Sequence, residues 1–92
     1  MTRSISILGA TGSVGEQTLD LVQRNRDRWQ VDTLTANGNV AKLAQMARDF
    51  GARMAVISDE RCLPDLREAL AGSGIEAAGG EAALCEAAAR PV

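Results

Sequence analysis

The chain opens on a short apolar, β-branched run, Ser4 to Leu8 (SISIL), with no polar face of its own. That pattern predicts a strand buried on both sides. At Ser13 the period changes. Val14, Thr18, Leu21 and Val22 recur at i, i+4, i+7 and i+8, the spacing of one helix face. Ser13 is the expected N-cap, with Glu16 three residues on completing a capping box. The helix ends in Arg24 to Arg28 (RNRDR), where cations suit the carbonyl pole of the dipole. Trp29 to Ala36 (WQVDTLTA) is rich in strand formers. Asn37-Gly38-Asn39 follows, and an Asn-Gly pair between two strands signals a hairpin. Here the next segment is helical instead: Val40, Leu43, Ala44, Ala47 and Phe50 keep a helical period, and Gly51 sits where a helix C-terminal glycine belongs. Asn39 is therefore the expected N-cap of the second helix.

The same alternation continues. Ala52 to Ile57 (ARMAVI) predicts a third strand. Ser58 or Asp59 opens a third helix running to about Ala71, with Leu63, Leu66 and Leu70 on one face and Pro64 in the first turn. Gly72-Ser73-Gly74 is a break. Ile75 to Ala78 predicts a fourth strand, and Glu81 to Ala89 an alanine-rich helix. The order is β-α-β-α-β-α-β-α. Strands alternating with helices through short loops imply right-handed crossovers and a parallel sheet: an α/β fold, Rossmann-like and doubly wound.

Composition narrows the function classes without choosing one. The chain has 92 residues, enough for one small domain, and a formal charge of −2 with scattered basic residues, which excludes a dominant nucleic-acid footprint. Histidine is absent, and the two cysteines, Cys62 and Cys85, form no CxxC pair. That leaves no support for a zinc site or a disulfide framework. Both thiols are expected to be buried or half-buried in a reducing cytoplasm. The N-terminal apolar run is too short for a signal-peptide core or a membrane span, so the protein is expected to be cytoplasmic, with no membrane partner. The clusters Asp59, Glu60, Asp65 and Glu76, Glu81 read as helix-start and surface carboxylates, and no catalytic or metal-ligating residue is assigned.

The chemistry lies in the first turn, Gly9 to Gly15. A turn after the first strand of such a sheet meets the N-terminus of the first helix, where N–H groups point outward and the dipole is positive. Gly9 can take an unusual φ, Gly12 can let a pyrophosphate touch the main chain, and Gly15 can let the helix pack close to the strand. Thr11 and Ser13 add hydroxyl donors. The spacing is G-x-x-G-x-x-G rather than the G-x-G-x-x-G fingerprint, but it follows a strand and opens a helix, which is the confirming context. An NAD site places an acid at the end of the second strand for the ribose 2′-hydroxyl. Here Ala36, Asn37, Gly38 and Asn39 stand there. Nothing repels a 2′-phosphate, and the helix N-terminus at Asn39 can receive it, which favours NADP over NAD.

ILGATGSVGEQTLDLV, residues 7–22, closely resembles the opening of the 1-deoxy-D-xylulose 5-phosphate reductoisomerases. WQVDTLTANGNVAKLAQMARDF, residues 29–50, and ARMAVISDE, residues 52–60, are similar to that family's next strand, asparagine loop, helix and strand. The resemblance covers the whole chain and is strongest to about residue 60. It implies that Thr11, Gly12, Ser13 and Val14 line the NADPH pyrophosphate and that Asn39 meets the adenosine 2′-phosphate. Many members carry a lysine where this chain has Gly38, so a cationic contact is missing there, with Lys42 one turn on. Family members are several times longer. Residues 1–92 then form the N-terminal part of an NADP(H)-binding domain, and the metal- and substrate-binding catalytic domain is absent from this chain. The family reaction rearranges and reduces 1-deoxy-D-xylulose 5-phosphate to 2-C-methyl-D-erythritol 4-phosphate in isoprenoid biosynthesis, with NADPH and Mg²⁺ or Mn²⁺. The full-length protein is expected to be a homodimer, and the 92-residue stretch alone inactive.

Two other readings share the GATGxxG opening. One is a different NADP-dependent dehydrogenase, such as an extended short-chain dehydrogenase or an aspartate-semialdehyde dehydrogenase. The stretch from Trp29 to Phe50 and the lack of any tyrosine argue against it. The other is a non-catalytic dinucleotide-binding module.

Overall fold

The computed structural model describes residues 3–7, 9, 12–25 and 28–89. The elements are β1 (Arg3–Ile7), α1 (Ser13–Arg24), β2 (Trp29–Ala36), α2 (Val40–Phe50), β3 (Met54–Ile57), α3 (Leu63–Ala69), β4 (Glu76–Gly79) and α4 (Glu81–Ala89). A 3-10 turn, Glu60–Cys62, precedes α3. All strands are parallel, in the order β1-β2-β3-β4.

A sequential parallel order with right-handed crossovers puts α1, α2 and α3 on one face. Their side chains form one core there: Leu19 and Val22 of α1, Leu43, Ala44 and Ala47 of α2, and Leu66 of α3 with Leu70 beyond it, against Ile7, Leu34, Ala36, Ala55 and Ile57 of the sheet. Val56 alternates with Ala55 and Ile57, is fully buried, and is not part of that cluster, so it faces the second side. α4 packs on β3 and β4 and adds no described side chain to the cluster. It supplies the cover on the second face, and the sheet is wound on both sides.

Within β1 and β2 the register slips. Ile5 pairs with Val31 and Ser6 with Thr33, so the ladder skips Asp32. The Asp32 side chain is buried and accepts from the Thr33 hydroxyl at 2.9 Å. Its place inside the strand keeps it away from the end of β2, as the position in the sequence suggests.

The second and fourth helices and the second strand match their expected bounds. Asn39 caps α2, and Gly51 closes it in the left-handed region at φ 62°. Elsewhere local hydrogen bonds move the boundaries. Strand three begins at Met54 because the Ala52 N–H is spent on Ala47 O, at 3.0 Å, in the α2 C-cap. β4 starts at Glu76 because the Ile75 N–H goes to the Ser73 hydroxyl at 3.1 Å. β1 includes Arg3, and Leu8 lies outside the described residues. The third helix is split into the 3-10 turn, capped by Asp59, and α3 with Pro64 in its first turn.

Four expectations are corrected. The N-cap of α1 is Gly12, not Ser13, which is the first helical residue, and no side chain caps it. The capping box does not form, since Gly12 O takes the Glu16 N–H at 2.9 Å and the Glu16 side chain pairs with Lys42. The buried leucine of α1 is Leu19, whereas Leu21 is 61% exposed. The buried set is Gly15, Leu19 and Val22, an i, i+4, i+7 stripe rotated away from Leu21. Cys62 is half-buried as expected, but Cys85, on α4, is exposed.

Leu34 is fully buried between β1, β3 and the helix layer. Leu34→Ala should lower unfolding free energy by about 2–5 kcal/mol, and Leu21→Ala by under about 0.5 kcal/mol. Urea denaturation of both variants checks this. Equal losses would contradict the assignment of the α1 face.

Candidate functional site

Parallel pairing brings all four strand ends to one edge of the sheet, and each end leads into a helix N-terminus. At the first, Gly9 has φ 69°, a conformation that side-chain-bearing residues rarely adopt. Its N–H donates to the hydroxyl of Thr35, on the neighbouring strand, at 2.8 Å. Its carbonyl accepts from Gly12 N at 3.0 Å. The turn is thus tied to β2 before α1 begins. Gly12 is exposed and extended, at φ −83° and ψ 170°. Among the described residues a Cβ there would meet only Gly9 O, at 3.4 Å. The main chain at the mouth of α1 is therefore open to a ligand, beside the positive pole of the helix. Gly15 is buried one turn on. Ser13 and Val14 are the first two residues of α1. Thr11 lies outside the described residues.

At the second end, Asn39 Oδ1 accepts from Lys42 N at 3.3 Å, a side-chain N-cap. Among the described residues nothing lies within 4 Å of where a Gly38 Cβ would stand, so this loop too leaves space over its backbone. The first turn of α2 holds no acid. The Lys42 ammonium instead pairs with Glu16 of the first turn of α1, joining the two helix mouths. Lys42 therefore reaches across to α1. Exposed pairs of this kind contribute about 0.2–1 kcal/mol.

The loop after β3 buttresses the loop after β2. Ser58 N donates to Ala36 O at 2.8 Å and Asp59 N to Asn37 O at 3.0 Å. This brings a carboxylate to an edge where residues 36–39 supply none. Asp59 accepts from Arg61 Nε and Nη2, each at 3.0 Å, and from Arg61 N at 3.1 Å. The guanidinium and that backbone N–H hold the Asp59 carboxyl below its ordinary value, so the pair stays charged and mutually neutralised at neutral pH. Asp59 thus stabilises this turn above the ordinary carboxylate range, and the contribution is lost only as pH falls through the lowered value. Among the described residues no three carboxylate or thiol side chains converge to hold a metal ion. No helix among them is long and apolar enough to cross a membrane.

The sequence model of 1-deoxy-D-xylulose 5-phosphate reductoisomerase matches residues 5–92. The chain belongs to the 1-deoxy-D-xylulose 5-phosphate reductoisomerase family. The reductoisomerase of Afipia carboxidovorans is 57% identical over 89 residues, covering 97% of this chain and 22% of that protein. The Zymomonas mobilis reductoisomerase, solved in complex with NADPH, is 56% identical with a TM-score of 0.94, over 96% of this chain and 23% of that one. A reductoisomerase solved with NADPH, fosmidomycin and magnesium is 31% identical with a TM-score of 0.88, over 94% of this chain and 21% of that one. The chain thus spans between a fifth and a quarter of the reductoisomerases it matches. The other dehydrogenases with a GATGxxG opening are set aside by the family match.

The Lys42–Glu16 pair joins the first and second helix mouths. Sequence reasoning missed Thr35, whose hydroxyl looks like that of any strand-forming threonine until β1 lies beside β2. It also missed the Asp59–Arg61 pair at the loop edge. Thr35→Val should strand the Gly9 N–H and lower stability by about 0.5–1.5 kcal/mol, while Thr35→Ser keeps the bond. A Val variant as stable as wild type in urea would show that this bond does not hold the turn.

Proposed function

We propose that residues 1–92 are the N-terminal part of the NADP(H)-binding domain of a 1-deoxy-D-xylulose 5-phosphate reductoisomerase. In this reading Thr11, Gly12, Ser13 and Val14 line the pyrophosphate, and Asn39 lies at the adenosine 2′-phosphate. The carrying observation is the pair of open helix mouths at one sheet edge, in a chain whose backbone superimposes at TM-score 0.94 on an NADPH-bound relative. The residues fit the cofactor. Gly12 admits a phosphate to the main chain, α1 and α2 turn the positive ends of their dipoles to this edge, and residues 36–39 carry no acid.

Bound NADPH supplies the hydride that reduces the aldehyde formed when 1-deoxy-D-xylulose 5-phosphate rearranges, giving 2-C-methyl-D-erythritol 4-phosphate for isoprenoid biosynthesis. The stretch described above holds and orients the dinucleotide. The Mg²⁺ or Mn²⁺, the substrate phosphate and the reacting groups belong to the remainder of the protein, a cytoplasmic homodimer with no nucleic-acid or membrane partner. Residues 1–92 alone should not turn over 1-deoxy-D-xylulose 5-phosphate with NADPH and Mg²⁺, whereas the full-length enzyme should. Turnover by the short chain would refute this division of labour.

Two further experiments address the cofactor. The backbone of Gly12 is one that valine adopts, and an added Cβ meets Gly9 O at 3.4 Å, an ordinary contact. Gly12→Val should therefore leave the far-UV circular dichroism intact and abolish NADPH binding by occupying the approach to the main chain. Undiminished affinity would overturn the assignment of this turn. At Gly38 no described atom lies within 4 Å of an added Cβ. Gly38→Asp puts a carboxylate within about 4–6 Å of the 2′-phosphate, costing on the order of 1–3 kcal/mol. The NADPH/NADH affinity ratio should fall at least about tenfold, and Gly38→Lys should raise it. Titration of both cofactors at fixed ionic strength decides, and a flat ratio would remove this loop from 2′-phosphate recognition.

A further inference from the structure

A lysine in the first turn of a helix opposes the dipole, which favours acids there. α2 nevertheless begins Val40-Ala41-Lys42, with no acid in its first turn. Departures from local preference of this kind concentrate at functional sites. The Lys42 backbone N–H is the group that Asn39 caps, so the residue is fixed at the mouth of α2. Its ammonium spans to Glu16, in the first turn of α1. The Lys42 and Glu16 side chains are 41% and 44% exposed, so a dissolved anion can reach the pair. Gly38, in the adjoining loop, has no side chain to offer. Arg61, a second cation near this edge, donates one edge of its guanidinium, Nε and Nη2, to Asp59.

We propose that Lys42 reads the ribose 2′-phosphate of the dinucleotide, and that Glu16 holds the Lys42 ammonium until that phosphate displaces its carboxylate. This rests on the cofactor reading given above and adds to it a specificity residue with its resting partner. The exchange is favourable in kind. A phosphate bears more charge and more acceptor oxygens than a carboxylate, and an exposed ion pair is weak. Glu16 also lowers the cost of a lysine at this position when no cofactor is bound, because it supplies the acid that α2 lacks.

The test is titration of the intact protein with NADPH and NADH, and with adenosine 2′,5′-bisphosphate and AMP as probes that carry and lack the 2′-phosphate. Lys42→Gln should lower the NADPH/NADH affinity ratio about tenfold, and Lys42→Arg should preserve it. Glu16→Gln removes this carboxylate from the ammonium and should raise the ratio about two- to fivefold. In the Lys42→Gln background that gain should vanish. The bisphosphate/AMP ratio should follow the same order, which a merely structural role for the pair would not produce. An unchanged ratio in Lys42→Gln overturns the proposal. So does a gain from Glu16→Gln that persists without Lys42, since Glu16 would then only repel the phosphate. Wild type that binds neither cofactor defeats the site reading and this inference together; wild type that binds both with a ratio insensitive to residues 16 and 42 defeats this inference alone.

Discussion

Everything at the candidate site depends on parallel pairing. When β1, β2 and β3 run the same way, their carboxyl ends share one edge, and the chain must leave that edge through a helix each time. The N–H groups and the positive dipole ends of α1 and α2 are then neighbours without further design. The bond from Gly9 N to the Thr35 hydroxyl fastens the first turn to the second strand. It fixes the mouth of α1 against β2, whose own end leads into the mouth of α2. The core of leucine and alanine beneath holds both helices to one face.

The electrostatics of this edge come from pairs that neutralise one another. Glu16 meets Lys42, and Asp59 meets Arg61. Beside these pairs lie the positive dipole ends of α1 and α2, with glycine at residues 12 and 38 adding no side chain. An anionic ligand then finds fixed dipoles already in place and needs little rearrangement of the chain.

Several features follow from the sequence by itself, because each depends on residues within about a turn of one another. The second strand and the second and fourth helices have the bounds that periodicity gives. Gly9 takes the φ that its place in the turn demands, Asn39 caps α2, and Gly51 closes it. The family is legible from the same local segments, since the glycine turn and the asparagine loop are contiguous in the chain. Short-range reasoning fails where two local options are close in energy. Ser13 and Gly12 both suit an N-cap, and Leu19 and Leu21 both suit a helix face. Packing against the sheet chose Gly12 and Leu19.

Tertiary structure alone decided the partners that lie far apart in sequence. Alternating strands and helices state that the sheet is parallel, but the strand order β1-β2-β3-β4 and the register skip at Asp32 come from how the strands pair. That order places Thr35 under Gly9 and Lys42 beside Glu16, contacts spanning 26 residues in each case. It also sets Asp59 against Asn37, so a carboxylate reaches an edge that looks acid-free in the local sequence. Periodicity and capping are written into neighbouring residues because they act through bonds of one helical turn. Which side chain meets which across the sheet is settled only when burial of the shared core fixes the strands side by side.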